Sequence, residues 1–396
     1  MDDFDFSGKR VLVRVDFNSA IINGRIELSE RIIAHSKTVK ELISKGARIV
    51  LLAHQGRPGE HDFTHLNQHA VLLSKALKRK VRFVDDIIGG KAIQSIKRLK
   101  RGEVLLLDNV RMLPEEMLNL KPEKHAKSML VKKLTPLFDI FVSDAFSASH
   151  RSHASIVGFA LTLPSCAGRV MEKETNALKE FNQIKHPSVY VLSGAKPDDV
   201  LNLANYALRN KMADKILAAG FFGLLCLIAR GYRLGGEDSF FEKLGYLKLV
   251  PKIKSLIKRY DKKILTPRDF AILGNGKRRE IELQDLPVSG QLYDIGKETI
   301  KEYCEVIKNA EMVFVKGTPG YYEEKEFSLG TETMLKAIEK SGAFSLVGGG
   351  HALSAINHFK INKNKISHIS LGGGVLMKYL SGEKLPAVEV LKQHQP

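Results

Sequence analysis

Residues 11–58 read VLVRVDFNSAIINGRIELSERIIAHSKTVKELISKGARIVLLAHQGRP, and the change of period inside this stretch decides the fold class. The apolar runs Val11–Phe17 and Ala47–Ala53 have the length of buried strands. Between them, Ser29 to Ser44 carries a helical period. Ser29 is placed as an N-cap, Ile32, Val39 and Ile43 share one face, and Gly46 ends the turn. The strand–loop–helix unit then recurs along the chain. Further strand-length runs lie at Lys80–Val84, Glu103–Leu107 and Asp139–Ser143, then at Ser188–Leu192, Lys215–Ala219, Glu311–Val315, Phe344–Val347 and Lys365–Ile369. Near-continuous apolar strands alternating with amphipathic helices predict an α/β chain with parallel sheets covered on both faces. Ligands of such sheets bind outside the carboxyl ends of the strands, which says where functional side chains belong.

With 396 residues the chain is too long for one ordinary core and suits two domains. The expected division is 1–169 together with a returning tail 381–396, a linking helix 170–184, and 185–380. Composition, 44% hydrophobic and 27% charged, is that of a folded globular protein. The acidic start MDDFDFSGKR lacks a leader-like apolar core. The apolar run Ile216–Ala229 is shorter than the ~20 residues a membrane span needs, so it reads as a strand entering a buried helix. Cys166, Cys226 and Cys304 have neither disulfide-framework nor zinc spacing, which points to a reducing, cytoplasmic setting. The net charge of +18 favours anionic partners. Basic residues such as those over Lys248 to Lys263 are scattered on helices with few aromatics between them, so charge alone names no ligand.

The strand ends of the first half carry Arg14, Asp16 and Asn18; then His54, Gly56 and Arg57; then Asn109 and Arg111; then Asp144, His150, Arg151 and His153. Arg31 opens the first helix. A single arginine is ordinarily a surface ion-pair member. Several at successive strand ends suit a small, multiply charged anion, because guanidinium groups bind phosphate and carboxylate in bidentate fashion. His150 and His153 have no third ligand at a recognisable spacing, so no metal site is expected. In the second half, Ser193–Gly194–Ala195–Lys196 closes a strand and opens a helix, setting an ammonium beside a helix N-terminus. The turns Gly348–Gly349–Gly350 and Gly372–Gly373–Gly374 leave backbone N–H groups open to phosphate oxygens. No GxxxxGK[ST] segment occurs. One half is suited to a small anion and the other to a phosphate-rich ligand, an arrangement fit for phosphoryl transfer.

These residues resemble those of the phosphoglycerate kinases, and of their archaeal branch in particular, over essentially the whole chain. The resemblance is carried by RVDFN (Arg14 to Asn18), SERI with Arg31, HQGRP (His54 to Pro58), LLLDNVR (Leu105 to Arg111) and DAFSASHRSHAS (Asp144 to Ser155). It continues through LPSCAGRVMEKE (Leu163 to Glu174), SGAK, DIG (Asp294 to Gly296), KGTPGYYE (Lys316 to Glu323), LGT (Leu329 to Thr331), VGGGH and SLGGG, to GEKLPAVEVL at Gly382 to Leu391. It implies two Rossmann-like parallel-sheet domains joined by a hinge helix, the first binding 3-phosphoglycerate and the second ATP or ADP with Mg2+. Asp16, Phe17, Asn18, Arg31, His54, Gln55, Gly56, Arg57, Arg111 and Arg151 would hold 3-phosphoglycerate. Arg31, Lys196, Gly350 and Gly373 would stabilise the phosphoryl group in flight. Glu323 would hold the nucleotide ribose, and Gly349, Gly350, His351 and Ala352 would line the phosphate site. Hinge closure would then align the ligands and exclude water. No resident metal, nucleic acid or membrane partner is implied, and a monomer or homodimer is expected.

Departures from the family pattern concentrate in the second half. Val200 stands where a second lysine is common, Ala219–Gly220 replaces GG, and Lys316–Gly317–Thr318 replaces NGP. His351 occupies the usual place of an aspartate that partners magnesium, and Leu371 that of a threonine. Charge-assisted contacts contribute ~1.5–3 kcal/mol each, so these changes bear on nucleotide binding. Three alternatives follow: a same-fold paralogue that binds phosphoglycerate without ordinary nucleotide use, a basic nucleic-acid binder, and a nicotinamide dehydrogenase. The last lacks an early GxGxxG.

Overall fold

The computed structural model describes residues 1–393. The chain divides into two compact units, one of Met1–Asn176 with the tail from Lys384, the other of Ala177–Glu383. The division falls inside the helix Arg169–Phe181, within the stretch expected to link the domains. Residues 394–396 of the expected tail lie outside the described residues. Of the expected tail, residues 381–383 fall in the second unit, whereas the chain from Lys384 lies with the first: the helix Pro386–Gln393 follows Leu385, and Ala387 N–H donates to Ser149 O at 3.1 Å.

The first unit is built on a six-stranded, wholly parallel sheet. Its spatial order is Val81–Phe83, Val104–Leu106, Arg48–Leu52, Arg10–Arg14, Ile140–Ser143, Ser165–Ala167. Strands flanked by helices on both faces bury most of their positions, and Val11, Val13, Ile49, Leu51 and Val142 form one continuous core with Ile32, Val39 and Leu42 of the helix Glu30–Ser44. Ser29 caps that helix by accepting from Ile32 N–H.

The second unit repeats the plan. Six parallel strands run in the order Ile264–Leu265, Lys215–Ala218, Ser188–Leu192, Met312–Lys316, Phe344–Gly348, His368–Ser370. The run Ile216–Ala229 does split into a strand and the buried helix Gly220–Arg230.

In both sheets the chain first builds outward from a central strand and then returns to build on that strand's other side. The reversal lies between Arg10–Arg14 and Ile140–Ser143 in the first sheet, and between Ser188–Leu192 and Met312–Lys316 in the second. A crevice opens at such a switch point, beyond the carboxyl ends of the two strands.

The periodicity reading did not include a three-stranded antiparallel sheet in the second unit, ordered Lys277–Glu282, Asp269–Gly274, Asp294–Ile295. Its hairpin turns on Asn275 and Gly276, both at positive φ (52° and 74°), the conformation an Asn-Gly turn supplies. A smaller hairpin, Ile21–Ile22 with Arg25–Ile26, turns on Asn23–Gly24 in the same way.

Candidate active site

At the first switch point the residues after Arg10–Arg14 form a network of buried charge. Arg14 is 2% exposed; it donates from Nε to Ser155 Oγ at 2.7 Å and from Nη2 to His54 Nδ1 at 3.2 Å. Its carboxylate partner is Glu116, 3.9 Å away, and the Ser155 hydroxyl bridges the two by donating to Glu116. Asp16, also 2% exposed, accepts from Asn18 N–H at 2.9 Å and faces Arg31 Nη1 at 3.1 Å. Arg31 Nη1 also donates to Asn18 O at 3.0 Å. Burial works against the Asp16 carboxylate, yet Arg31, His54 and the Ser147 hydroxyl together hold its pKa far below the ordinary range. His54 is the converse case. Burial, reinforced by Arg14, Arg151 and Arg31, outweighs the attraction of Asp16 and depresses its pKa to about 3, so the ring is neutral and its Nδ1 can accept from Arg14.

Around this pair the positive charge is in excess. Arg111 donates to Gly56 O, and Asn18 Oδ1 accepts from Gly56 N–H at 2.8 Å, so the turn after Arg48–Leu52 is held from two sides. Burial lowers the pKa of Arg151, and the charges of Arg57 and Arg31 push it down further. Arg57 itself is exposed. Arg57 and Arg31 both lie within electrostatic reach of Arg151, with Asp16 offsetting part of that charge, and guanidinium groups gathered in this way suit an anion.

At the second switch point recognition falls to the backbone. The strand Ser188–Leu192 ends in Ser193, whose N–H and Oγ both donate to Lys316 O, at 2.8 and 2.9 Å, on the adjacent strand. Lys196 is the N-cap of the helix Pro197–Arg209. The two triple-glycine turns touch: a β-carbon on Gly373 would lie 2.7 Å from Gly349 Cα. Gly349, at φ 106°, precedes the helix Gly350–His358, and Gly373 opens the helix Gly373–Leu380. Two helix N-termini thus converge on one spot, with N–H groups free of side-chain cover. Lys316 Nζ lies 3.0 Å from the position a Gly349 β-carbon would take. A pocket of about 520 Å3 extends from this end, past Thr318, Glu323 and His351, to Phe221, Leu224 and Phe240.

Comparison with known proteins places the chain in a family. The protein-family model for phosphoglycerate kinase matches residues 1–383. The phosphoglycerate kinases of Methanothermus fervidus and Saccharolobus solfataricus are each 45% identical to this chain, covering 99% of it and 96% of their own length. The crystal structure of phosphoglycerate kinase from Pyrococcus horikoshii superposes with a TM-score of 0.94 at 39% identity, over 99% of this chain and 98% of that one.

The chain belongs to the phosphoglycerate kinase family.

Membership makes it a kinase with small-molecule and nucleotide substrates, and the binding-only paralogue is not favoured. Among the residues this family resemblance singled out, Asp16, Asn18, Arg31, His54, Gly56, Arg57, Arg111 and Arg151 share the first switch point. Two side chains in that set turn elsewhere. Phe17 is fully buried and packs on His35 and His69, so only its backbone is available. The Gln55 amide is consumed by Ser19, Asp62 and His69. In the second unit Gly349, Gly350 and Lys316 meet at the glycine turns, while Glu323 and His351 line the pocket. Ala352 is 1% exposed and Val200 0%, so both side chains belong to the core. The 150/153 histidines gather no third ligand: no cluster of three metal-ligating side chains occurs among the described residues. Nor is any helix of the described residues long and apolar enough to cross a membrane.

Several participants were not singled out from sequence. His35 accepts from Asp16 N–H at Nε2, 3.2 Å away, and donates from Nδ1 to Asp144 at 2.8 Å. Asp144 in turn accepts from Val170 and Met171 N–H, at 2.8 and 3.2 Å, at the start of the helix Arg169–Phe181. Glu116, Ser147 and Ser155 complete the buried network. Asp144 is one of the strand-end candidates, and Ser147 and Ser155 lie inside the DAFSASHRSHAS stretch without a role given to them; His35 and Glu116 stand outside the stretches that carry the resemblance.

Proposed function

We infer that the chain catalyses reversible phosphoryl transfer between 1,3-bisphosphoglycerate and ADP, giving 3-phosphoglycerate and ATP. The observation that carries this reading is the gathering of Arg31 and Arg57 about Arg151 at a switch point, with the Asp16 carboxylate facing Arg31. In the direction of ATP use, a carboxylate oxygen of 3-phosphoglycerate attacks the γ-phosphorus. One P–O bond forms as the β–γ bridge breaks, and ADP leaves. Arginines of the first unit hold the phosphoglycerate, with Asp16 and Asn18 orienting its hydroxyl. Arg31, Lys196 and the N–H groups at Gly350 and Gly373 neutralise the charge that spreads over the equatorial oxygens. Glu323 takes the ribose. The nucleotide is read as its magnesium complex, a substrate. Asp199, which acts electrostatically on Lys316, is the carboxylate left near the phosphate end now that His351 follows the glycine turn. A reducing, cytoplasmic setting suits the three free cysteines.

Lys316 replaces the lysine that Val200 does not provide. Its ammonium is half-buried beside Gly349, and its pKa is lowered by burial and by Lys196, against the pull of Asp199. Two like charges held together in a partly buried site are relieved by a polyanion.

A coupled assay with 3-phosphoglycerate, ATP and Mg2+ tests the reading. The parent should turn over, and Arg31→Ala and Lys196→Ala should each lose about 10^2–10^3-fold in kcat. An inactive parent, or two variants as active as it, would overturn the assignment.

A further inference from the structure

Two of the walls of the 520 Å3 pocket are loops from different parts of the second unit, Gln291–Tyr293 and Thr318–Glu323. A loop has no hydrogen-bond ladder of its own, so its place depends on what it is tied to. These two are tied to each other. Tyr321 N–H donates to Tyr293 O at 2.8 Å, and the Phe327 ring stacks on that of Tyr293 at 4.5 Å between centroids. On the other side, Leu292 N–H donates to Glu237 Oε1 at 3.0 Å.

The seam between the walls ends at Asp294, which is buried. Its Oδ2 accepts from Gly330 N–H at 2.8 Å, where the helix Leu329–Ser341 begins. Gly320 packs on the same carboxylate: a β-carbon there would lie 2.2 Å from Asp294 Oδ1. What holds Asp294 is Arg278. That residue stands on Lys277–Glu282, an outer strand of the antiparallel sheet, and its side chain reaches past Asp269–Gly274 to the far strand. Nη1 donates to Asp294 Oδ2 at 2.8 Å, Nη2 to Ile295 O at 2.9 Å and Nε to Glu280 Oε1 at 2.7 Å. Nη1 also donates to Glu326 O at 3.5 Å, in the segment that follows Glu323. Burial pushes the pKa of Asp294 up to about 6, against the pull of Arg278 and of Gly330 N–H. Without the guanidinium the carboxylate would be buried and largely uncompensated. Arg278 is not itself among the residues that line the pocket.

Resting on the nucleotide reading above, we propose that Arg278 is a positioning residue for the nucleotide: acting through Asp294, it sets the wall Thr318–Glu323 against Gln291–Tyr293 and so fixes the Glu323 carboxylate where the ribose hydroxyls bind. A contact of this kind is lost when its acceptor is misplaced by about an ångström. Removing the clasp is therefore felt at the ribose and not at the phosphoglycerate.

The test compares ADP with dideoxy-ADP, which lacks both ribose hydroxyls, in direct binding by titration calorimetry, and adds the coupled assay. The parent should bind ADP about 10–100-fold more tightly, as one charge-assisted contact allows. Glu323→Ala should lose that preference, and Arg278→Met should lose most of it with Glu323 still in place. The nucleotide KM of Arg278→Met should rise about as much, while its 3-phosphoglycerate KM keeps the parent value. Arg278→Lys can still pair with Asp294 and should recover part of the preference. Arg278→Met combined with Glu323→Ala should lose no more of it than Glu323→Ala alone. Gly320→Ala displaces the same wall without removing a charge and should lose the preference too, which settles the matter if Arg278→Met does not fold. A parent-like preference in folded Arg278→Met or in Gly320→Ala, even at a lowered melting temperature, would overturn the proposal, as would losses that add in the double variant. The ribose preference and its loss, in a parent without turnover, would overturn the reaction assigned above and leave this inference standing. Turnover by a parent indifferent to the ribose would do the reverse.

Discussion

The two switch points are built by different means. In the first unit side chains do the work: Asp16, Arg31, His54 and Arg151 lie in a buried network with Arg14, Ser155 and Glu116 behind them. In the second unit the backbone does it, through Gly349, Gly350 and Gly373 at two helix N-termini, with Lys196 and Lys316 alongside. A side-chain site depends on counter-charges deep in the core, whereas a glycine site depends on the absence of β-carbons. Changes that damage one should leave the other intact.

The largest expected effect is Glu116→Ala. It strips Arg14 of its carboxylate in the core, and breaking a buried pair from one side costs about 3–5 kcal/mol. Denaturant unfolding should show that loss, with weaker 3-phosphoglycerate binding and unchanged ADP affinity in the folded fraction. An equal fall in ADP affinity would erase the contrast between the sites. Gly373→Ala is the mirror experiment. Its new methyl group would meet Gly349 Cα at 2.7 Å and Gly349 N at 2.9 Å, backbone atoms that must move. Overpacking of this kind costs about 1–3 kcal/mol, so the nucleotide KM should rise by about ten- to a hundredfold while the 3-phosphoglycerate KM stays put. Lys316→Ala should cost about tenfold or more in kcat/KM for nucleotide, the value of one charge-assisted contact. Lys316→Arg should recover part of it, and unchanged nucleotide kinetics in the alanine variant would rule out the compensating role.

The remaining test changes pH rather than a single side chain. Burial holds the pKa of His54 at about 3 and those of His69 and His153 at about 4, all in the first unit. The unfolded chain binds these protons first, near the free value of ~6.5. Their contribution to stability is therefore complete above ~6.5 and declines as pH falls toward 4 and then 3. Melting curves between pH 7 and 4 should show the first unit weakening with acid, and His69→Gln should flatten part of that slope. A melting temperature independent of pH over this window would contradict the buried, neutral histidines.

Much of the first site was legible because charged residues following apolar strands are conspicuous, and a parallel sheet brings its strand ends together. Phe17 and Gln55 are adjacent to ligand residues in sequence, yet successive residues near a strand end point to opposite sides, so theirs were drawn inward. The hairpins at Asn23–Gly24 and Asn275–Gly276 carried a readable turn signal. Their strands are very short, as at Ile21–Ile22 and Arg25–Ile26, or mostly charged, as at Lys277–Glu282, and a reading tuned to long apolar runs passes over them. The aromatic lining of the pocket had no local pattern, since Phe221, Phe240 and Tyr293 come from three separate segments.

Local chemistry in the chain was enough to set the class of fold, the places of the glycine turns and the arginines, and the family. Those features depend on periodicity, on backbone freedom and on charge, each carried by residues close in sequence. Tertiary structure alone decided which charges are buried, that Lys316 lies against Gly349, and that one oxygen of Glu237 is left without a donor. Desolvation and hydrogen-bond satisfaction are set by neighbours from distant segments, and only the folded chain brings those together.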